Sequence, residues 1–562
     1  MRIAVVGASV AFALSFAAAA WADDAKTAPP PPAKAPAPAK KEPVNVDAPP
    51  TPPTPGLAPA PPPPAPTPVF SLADASQQAV KEPPLAGWNG AFFLRDPGDY
   101  FRFYPRGRLM VDFNSFPGEP TGLAKSGGVN LQPRLFARNL RLELAGQFLQ
   151  NWTFLLSAEF GGQVISNVDG KNQQSAASPG IDPTSATARY AQIETVSPNA
   201  QLSDAYVNYS VCKCLNFMVG QHDIAFSMEN QTQDNVSTFM ARSVGLRSFA
   251  VPYKKEIGLT VWGEVLDSRL AYGLEILAGD GTNRPQVDSQ VDFSGRIFTR
   301  PLLGSGGPLD KLQIGVSGRV GQRDPKFVGY DVVPVTTGQG YTLWQSSYTD
   351  SQGRVTHILP SGMQAVIGGE LRVPFSVFDV RGEAYYVANN TREAINGYQL
   401  QSDAAGSPYT ERLGQMSGMG WYVQASIWPL GDAFVTGDPG FFRPTTVNLH
   451  KEPDKLKRGL EIALRVSGLN ADYQSNSRGG GADPKSTTKE NGSKIDVYEY
   501  NVGLNYWYTK YVRATLNYTL YQAPGSGSTA TNRAVVPQNL GANGDPKAHL
   551  MQELGARIGV WF

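Results

Sequence analysis

Four bases crowd one stretch of this chain: Arg242, Arg247, Lys254 and Lys255 lie within residues 224–255, with Glu229, Asp234 and Glu256 close by. A guanidinium presents a planar fork of donors that matches phosphate-like oxygens two at a time, so an arginine-lined constriction attracts anions. A second set of bases, Arg106, Arg108, Arg141, Arg296, Lys311, Arg319, Arg372, Arg381, Arg465, Arg513 and Arg557, is spread over many short segments. Asp112, Glu143, Glu159, Asp204, Glu275, Glu370, Glu383, Glu461, Glu499 and Glu553 share the same alternation. Arg381/Glu383 and Glu461/Arg465 alternate directly, which reads as cross-strand pairs holding the wall rather than as a row of ion sites. Other chemistry is thin. Cys212 and Cys214 form a C-x-C that an oxidising compartment allows to close, although such a bridge is strained; two free or intermolecular thiols are the alternative. His222, His357, His450 and His549 have no metal spacing, and the GDG at 279–281 reads as a turn at a strand end. No cofactor is expected, and no Ser/His/acid cluster points to an enzyme.

The elements that must carry these charges repeat with a period of two. Leu109, Val111 and Phe113 alternate with Arg108, Met110 and Asp112; Leu140, Leu142 and Leu144 alternate with Arg141 and Glu143. The last segment, LMQELGARIGVWF, keeps the same alternation through to Phe562. A period of two is a strand with unlike faces. About sixteen such strands follow one another from Tyr100 onward, with eighteen as the alternative count. Very short links (149–151, 212–214, 266–268, 374–376, 509–510) alternate with long ones (162–200, 224–255, 322–363, 389–416). That rhythm is expected of a transmembrane antiparallel β-barrel, with short periplasmic turns and long external loops. One link breaks it: 429–457 falls on the short side yet is long, so it holds an extra hairpin or folds back into the lumen.

Composition agrees. The chain has 562 residues, 49 Lys and Arg against 48 Asp and Glu, and a formal charge of +1, which argues against nucleic acid as a partner. Hydrophobic residues are only 41%, so a fold of this size is not expected to be built around one oily core, and no separate core is signalled. In a barrel the outward row meets lipid and the inward row meets water. Tyr506, Trp507, Tyr508 and Tyr511 then fit an interfacial girdle.

Residues 1–22 read as a cleaved export signal ending in Ala20-Trp21-Ala22, which places the mature chain in the bacterial outer membrane. Residues 23–98 form a Pro/Ala-rich periplasmic arm and junction, and 99–562 the barrel. The arm reads as a stiff polyproline spacer, with peptidoglycan contact through Lys34, Lys40 and Lys41 as its functional reading.

VGQHDIAFSMEN (219–230), EIGLTVWGE (256–264), DFSGRIFTRPL (292–302), GLEIALRVSGL (459–469) and NVGLNYWYTKYVRATLNYTLY (501–521) follow one another through the middle and C-terminal parts. Together these segments resemble the phosphate-selective porin O/P family. The resemblance spans most of 100–562 in order. It implies a sixteen-stranded porin, trimeric, passing small anions such as phosphate or chloride, with loop 224–255 folded into the lumen. Its site candidates are Arg242, Arg247, Lys254 and Lys255 on that loop, and Arg108, Arg141, Arg296, Arg319, Arg381, Arg465 and Arg513 on the wall. The chain departs from the family at His222, Asp223 and Ala225, where members usually carry an aromatic residue, a base and a proline. That departure favours a general anion pore over a strict phosphate filter. A chiefly structural outer-membrane protein gripping the cell wall through its arm is the alternative.

Overall fold

The computed structural model describes residues 84–118, 133–161, 200–284, 286, 289–324, 331–340, 342–344, 347–349, 355–395, 412–431, 440–441, 443–444, 449, 458–476, 489–523 and 550–562. The export signal and the Pro-rich arm therefore lie outside the described residues.

Sixteen antiparallel strands close on themselves. They are β1 (Phe101–Ser115), β2 (Arg134–Phe148), β3 (Trp152–Glu159), β4 (Gln201–Cys212), β5 (Leu215–Asp223), β6 (Lys255–Val265), β7 (Leu270–Leu277) and β8 (Asp292–Thr299). There follow β9 (Gln313–Arg323), β10 (Val355–Phe375), β11 (Phe378–Ile395), β12 (Arg412–Leu430), β13 (Gly459–Asn476), β14 (Lys489–Thr509), β15 (Val512–Gln522) and β16 (Leu550–Trp561). Each pairs with its sequence neighbour, and β16 returns to β1 in a register running from Leu554 opposite Ser115 to Trp561 opposite Arg108. Closure answers the demand a bilayer makes, because backbone N–H and C=O groups that cross it must be paired from strand to strand. Among the described residues no helix is long and apolar enough to cross a membrane.

The faces are inverted relative to a soluble sheet. On β2 the leucines Leu140, Leu142 and Leu144 are exposed, whereas Asn139, Arg141 and Glu143 are buried. An apolar core nevertheless exists, and it lies inside the barrel. Ile224, Phe226, Val244, Leu246 and Phe249, between β5 and β6, pack with Val335 and Trp344, between β9 and β10, against Tyr385, Leu469, Tyr473 and Val497 of the wall. Each such side chain buried is worth about 1.5–3 kcal/mol. The expectation of no separate core fails because these residues sit in irregular loops, where neither a period of two nor one of 3.6 marks them.

The wall is uneven. Strands β10 and β14 have 21 residues each, against 8 in β3, β7 and β8. At roughly 3.3 Å per residue the tall strands far outreach an apolar band of about 25 Å. The upper part of β10 falls within the long link expected at 322–363, and those of β11 and β12 within 389–416, because beyond the bilayer no outward apolar row is needed to make a strand. Lys311, expected on the inward face, lies instead in the turn between β8 and β9.

At the other rim, a hairpin (Ala86–Trp88 with Phe92–Arg95) pairs with the start of β1, Leu94 opposite Phe103 and Arg95 opposite Arg102. It covers an edge of β1 that β16 does not reach. The seam below is tight: Gly107 and Phe562 exchange backbone hydrogen bonds, and a Cβ on Gly107 would lie 2.4 Å from the Phe562 ring.

Candidate functional site: a basic lumenal cavity

Residues 224–254 leave the wall at β5 and cross the lumen to the opposite side. A short helix, Met228–Gln231, is capped by the Ser227 hydroxyl, which accepts from the Asn230 N–H at 3.0 Å. The Glu229 N–H then donates to Glu383 on β11 (2.8 Å), and Arg465 on β13 donates to the Glu229 carboxylate (3.0 Å). Farther along, Asn505 donates to Thr238 O (2.8 Å), Arg513 to Ser237 O (2.6 Å), and the Met240 N–H to Asn517 (2.7 Å). The loop is thus fastened from β11 to β15, and open volume remains beside β1–β4.

Arg242 and Arg247 are occupied with this fastening. Arg242 donates to Asn230 Oδ1 (2.7 Å), Val251 O (3.1 Å) and Pro252 O (3.1 Å), which ties the two limbs of the loop together. Arg247 donates to Glu499 on β14 (2.8 Å) and to Thr336 O (2.9 Å). From the rim of short turns a second segment enters. Gly440 O accepts from Arg296, Phe441 packs edge-on to Trp262 and Phe298, and Arg443 donates to Glu264 at 2.6 Å. The described part of the anomalous link 429–457 therefore folds back into the lumen.

Several wall bases are paired with acids. Arg296 grips Glu370 with two bonds (2.8 and 2.7 Å), and Arg319 donates to Glu256 (2.8 Å) and Asp292 (2.7 Å). The two directly alternating sets, Arg381/Glu383 and Glu461/Arg465, do not pair within themselves. Arg381 takes Asp379 (2.7 Å), not Glu383, whose carboxylate receives Glu229 N–H and the Tyr385 hydroxyl. Arg465 takes Glu229 and Glu499, while Glu461 accepts from Thr238 and Asn505. Arg381 finds its acid two residues back on its own strand, while the loop engages Glu383 through the Glu229 N–H and Glu461 through Thr238. Arg513 stacks over Trp507, 4.7 Å from its centroid.

The remaining candidates converge. Arg108, Arg141, Lys254 and Lys255 line one cavity with Arg106, Arg443, Glu143, Asp204, Asp223 and Asp234; its empty volume is about 450 Å³. Six cations face four carboxylates there. Arg108 and Arg141 are register partners on adjacent strands, and like charges so placed repel. Arg372 and Arg381 are also register partners, but Asp379 lies between them and accepts from both. Among the described residues no single carboxylate is hydrogen-bonded to both Arg108 and Arg141, although Glu143 and Asp234 lie near enough to act on each: Arg108 has Glu143 at 3.4 Å, and Arg141 has Glu159 at 3.0 Å and Asp204 at 4.0 Å. Opposite them, Lys254 holds Asp234 at 2.8 Å, and Lys255 holds Asp204 and Asp223. Enclosure in the lumen would raise the Asp234 carboxyl, although 43% of its side chain stays open to solvent; Lys254, Arg141 and Arg108 together bring it well below the ordinary carboxylate range.

Arg443 joins the cavity from a link with no strand pattern, so nothing in its sequence context announces it. His222 is buried against Thr260 (2.8 Å), and His450 and His549 lie outside the described residues. Among the described residues no group of His, Cys, Asp or Glu is arranged to hold a metal.

A family model described as phosphate-selective porin O and P matches residues 106–540. Solved structures similar in shape include OmpT, an outer membrane protein of Vibrio cholerae (TM-score 0.42, 8% identity, 84% of this chain and 99% of that one). The outer membrane channel DcaP of Acinetobacter baumannii gives a TM-score of 0.38 at 11% identity, over 84% of this chain and 99% of its own. An anion-selective porin from Comamonas acidovorans gives 0.38 at 11%, over 82% and 100%. Likenesses of this size carry no reading of function. No curated protein sequence matches the chain.

Proposed function

Since this chain belongs to the phosphate-selective porin O and P family and is an outer-membrane porin, we propose that it passes small anions, chloride and phosphate among them, through the cavity beside β1–β4. The observation that carries this reading is the Arg108–Arg141 register pair. Two guanidinium groups held opposite one another, with no one carboxylate among the described residues hydrogen-bonded to both, repel, and an anion passing between them would relieve the repulsion. Lys254 and Lys255 add charge from the loop side, and low-dielectric walls amplify the field. The acids in the same cavity keep the surplus small, so the preference is for anions in general, with phosphate passing without tight block. Arg242, Arg247, Arg296, Arg319, Arg381, Arg465 and Arg513 act on permeation through the shape they give the loop and wall. We further propose a homotrimer, with the Pro-rich arm reaching the cell wall.

Reversal potential in a potassium chloride gradient tests the reading. The parent should prefer chloride mildly, and Arg108→Gln with Arg141→Gln should move the potential to zero or past it. An unchanged potential in that double variant would place the filter elsewhere. A second reading, a chiefly structural barrel, is favoured by the apolar core that fills part of the lumen. Absence of unitary conductance in planar bilayers would select it.

A further inference from the structure

The Cys212–Cys214 disulfide spans a single residue on the tight turn between β4 and β5. Three observations set it apart from a structural staple. First, the turn is closed without it. Cys212 and Leu215 are register partners, Lys213 O accepts from the Glu264 N–H (2.9 Å), and Cys214 O accepts from the Tyr272 hydroxyl (2.8 Å). Second, a loop of three residues is among the shortest a disulfide can close, so it restricts the unfolded chain least. Third, Cys212, Lys213 and Cys214 are all exposed, with 68% of the Lys213 side chain open to solvent. Exposure and a neighbouring cation are the conditions that favour attack by a thiolate.

We propose that this turn is a thiol-exchange site facing the periplasm, and that its co-reactant is a low-molecular-weight thiol or a cysteine of a periplasmic dithiol protein. The compartment follows from the short-turn rim and rests on the porin reading; the exchange chemistry does not. An incoming thiolate attacks one sulfur, the bond between the two cysteines breaks, and the electron pair leaves on the other sulfur, which takes a proton from water. The product is a mixed disulfide plus one free thiol. A second thiolate then releases the oxidised co-reactant and leaves the reduced pair. Lys213 holds the anionic reagent near the turn, while Glu264 (3.7 Å) and the Ser268 hydroxyl hold Lys213.

The test uses the purified full chain in detergent. One arm takes reduced glutathione and the other a reduced thioredoxin-type protein lacking its resolving cysteine, each followed by alkylation and peptide mapping. An adduct on Cys212 or Cys214 with the alkylating agent on its partner is expected in at least one arm, and the arm that reacts identifies the source. Lys213→Glu should slow the glutathione adduct several-fold. An intact bridge in both arms, under conditions that modify an exposed control disulfide, overturns the proposal. So would a Cys212→Ser/Cys214→Ser variant that fails to assemble, since the bridge would then be structural. Conductance of that variant should equal the parent's, and any outcome of the ion-selectivity experiment leaves this test unaffected.

Discussion

Gly245 in the lumenal loop and Gly420 on β12 meet backbone to backbone: a Cβ built on Gly245 lies 2.7 Å from Gly420 Cα, and one on Gly420 lies 2.8 Å from Gly245 Cα. Neither position has a side chain that could yield. Gly420→Ala should therefore lift the loop from the wall, at a cost of about 1–3 kcal/mol. We expect larger and noisier unitary conductance, with the barrel still migrating as a folded species on gels. Parent-like single-channel traces would show that the loop does not set the bore.

Removing the loop's arginines should disturb its shape before its charge. Arg247 and Glu499 form a buried ion pair, and losing one partner of such a pair costs about 3–5 kcal/mol. Arg465 remains on Glu499 and softens that loss. Arg242→Ala with Arg247→Ala should raise conductance noise while shifting the reversal potential less than the Arg108/Arg141 double variant. The reverse ranking would return these two bases to the filter itself.

Asp234 gives a pH test. Its carboxyl lies below the ordinary carboxylate range, so its negative charge, and whatever it contributes to holding Lys254, persists through neutral and mildly acid pH. Both are lost as pH falls through that lowered value. Asp234→Asn should increase anion preference at pH 7 and leave the parent and variant alike only in strong acid. Convergence of the two reversal potentials already near pH 5 would contradict the lowered carboxyl.

Gly107 tests the seam. A methyl there meets the Phe562 ring at 2.4 Å, so Gly107→Ala should displace the ring and weaken the β16–β1 junction by about 1–3 kcal/mol. Gel-shift melting should report a lower unfolding temperature than the parent's. Phe562→Ala in the same background should recover part of the loss.

The barrel was legible because lipid writes a row of apolar residues at every second position, as Leu140, Leu142 and Leu144 do. The fate of each charge was not. Arg108 and Arg381 both fall on an inward row that also carries acids, Asp112 four positions beyond Arg108 and Asp379 and Glu383 two positions either side of Arg381. Across the strands they differ further: Asp379 accepts from both Arg372 and Arg381, while no one carboxylate among the described residues is hydrogen-bonded to both Arg108 and Arg141. Register across strands decides this, and register is set by turns and bulges rather than by the local pattern. Likewise Arg247 finds Glu499 across 252 positions, a distance over which no periodicity speaks.

The ion pair that crosses the seam, Arg557 with Asp112 at 2.7 and 2.8 Å, joins residues 445 positions apart. It links the only neighbouring strands of the cylinder that no turn connects. Those two strands meet only by bringing nearly the whole length of the barrel together, and contacts of such long sequence separation carry the largest loop-closure cost. The edges they bring together are the two on which the sheet would otherwise lie open to a strand from another chain. The Phe92–Arg95 strand covers a further part of the β1 edge.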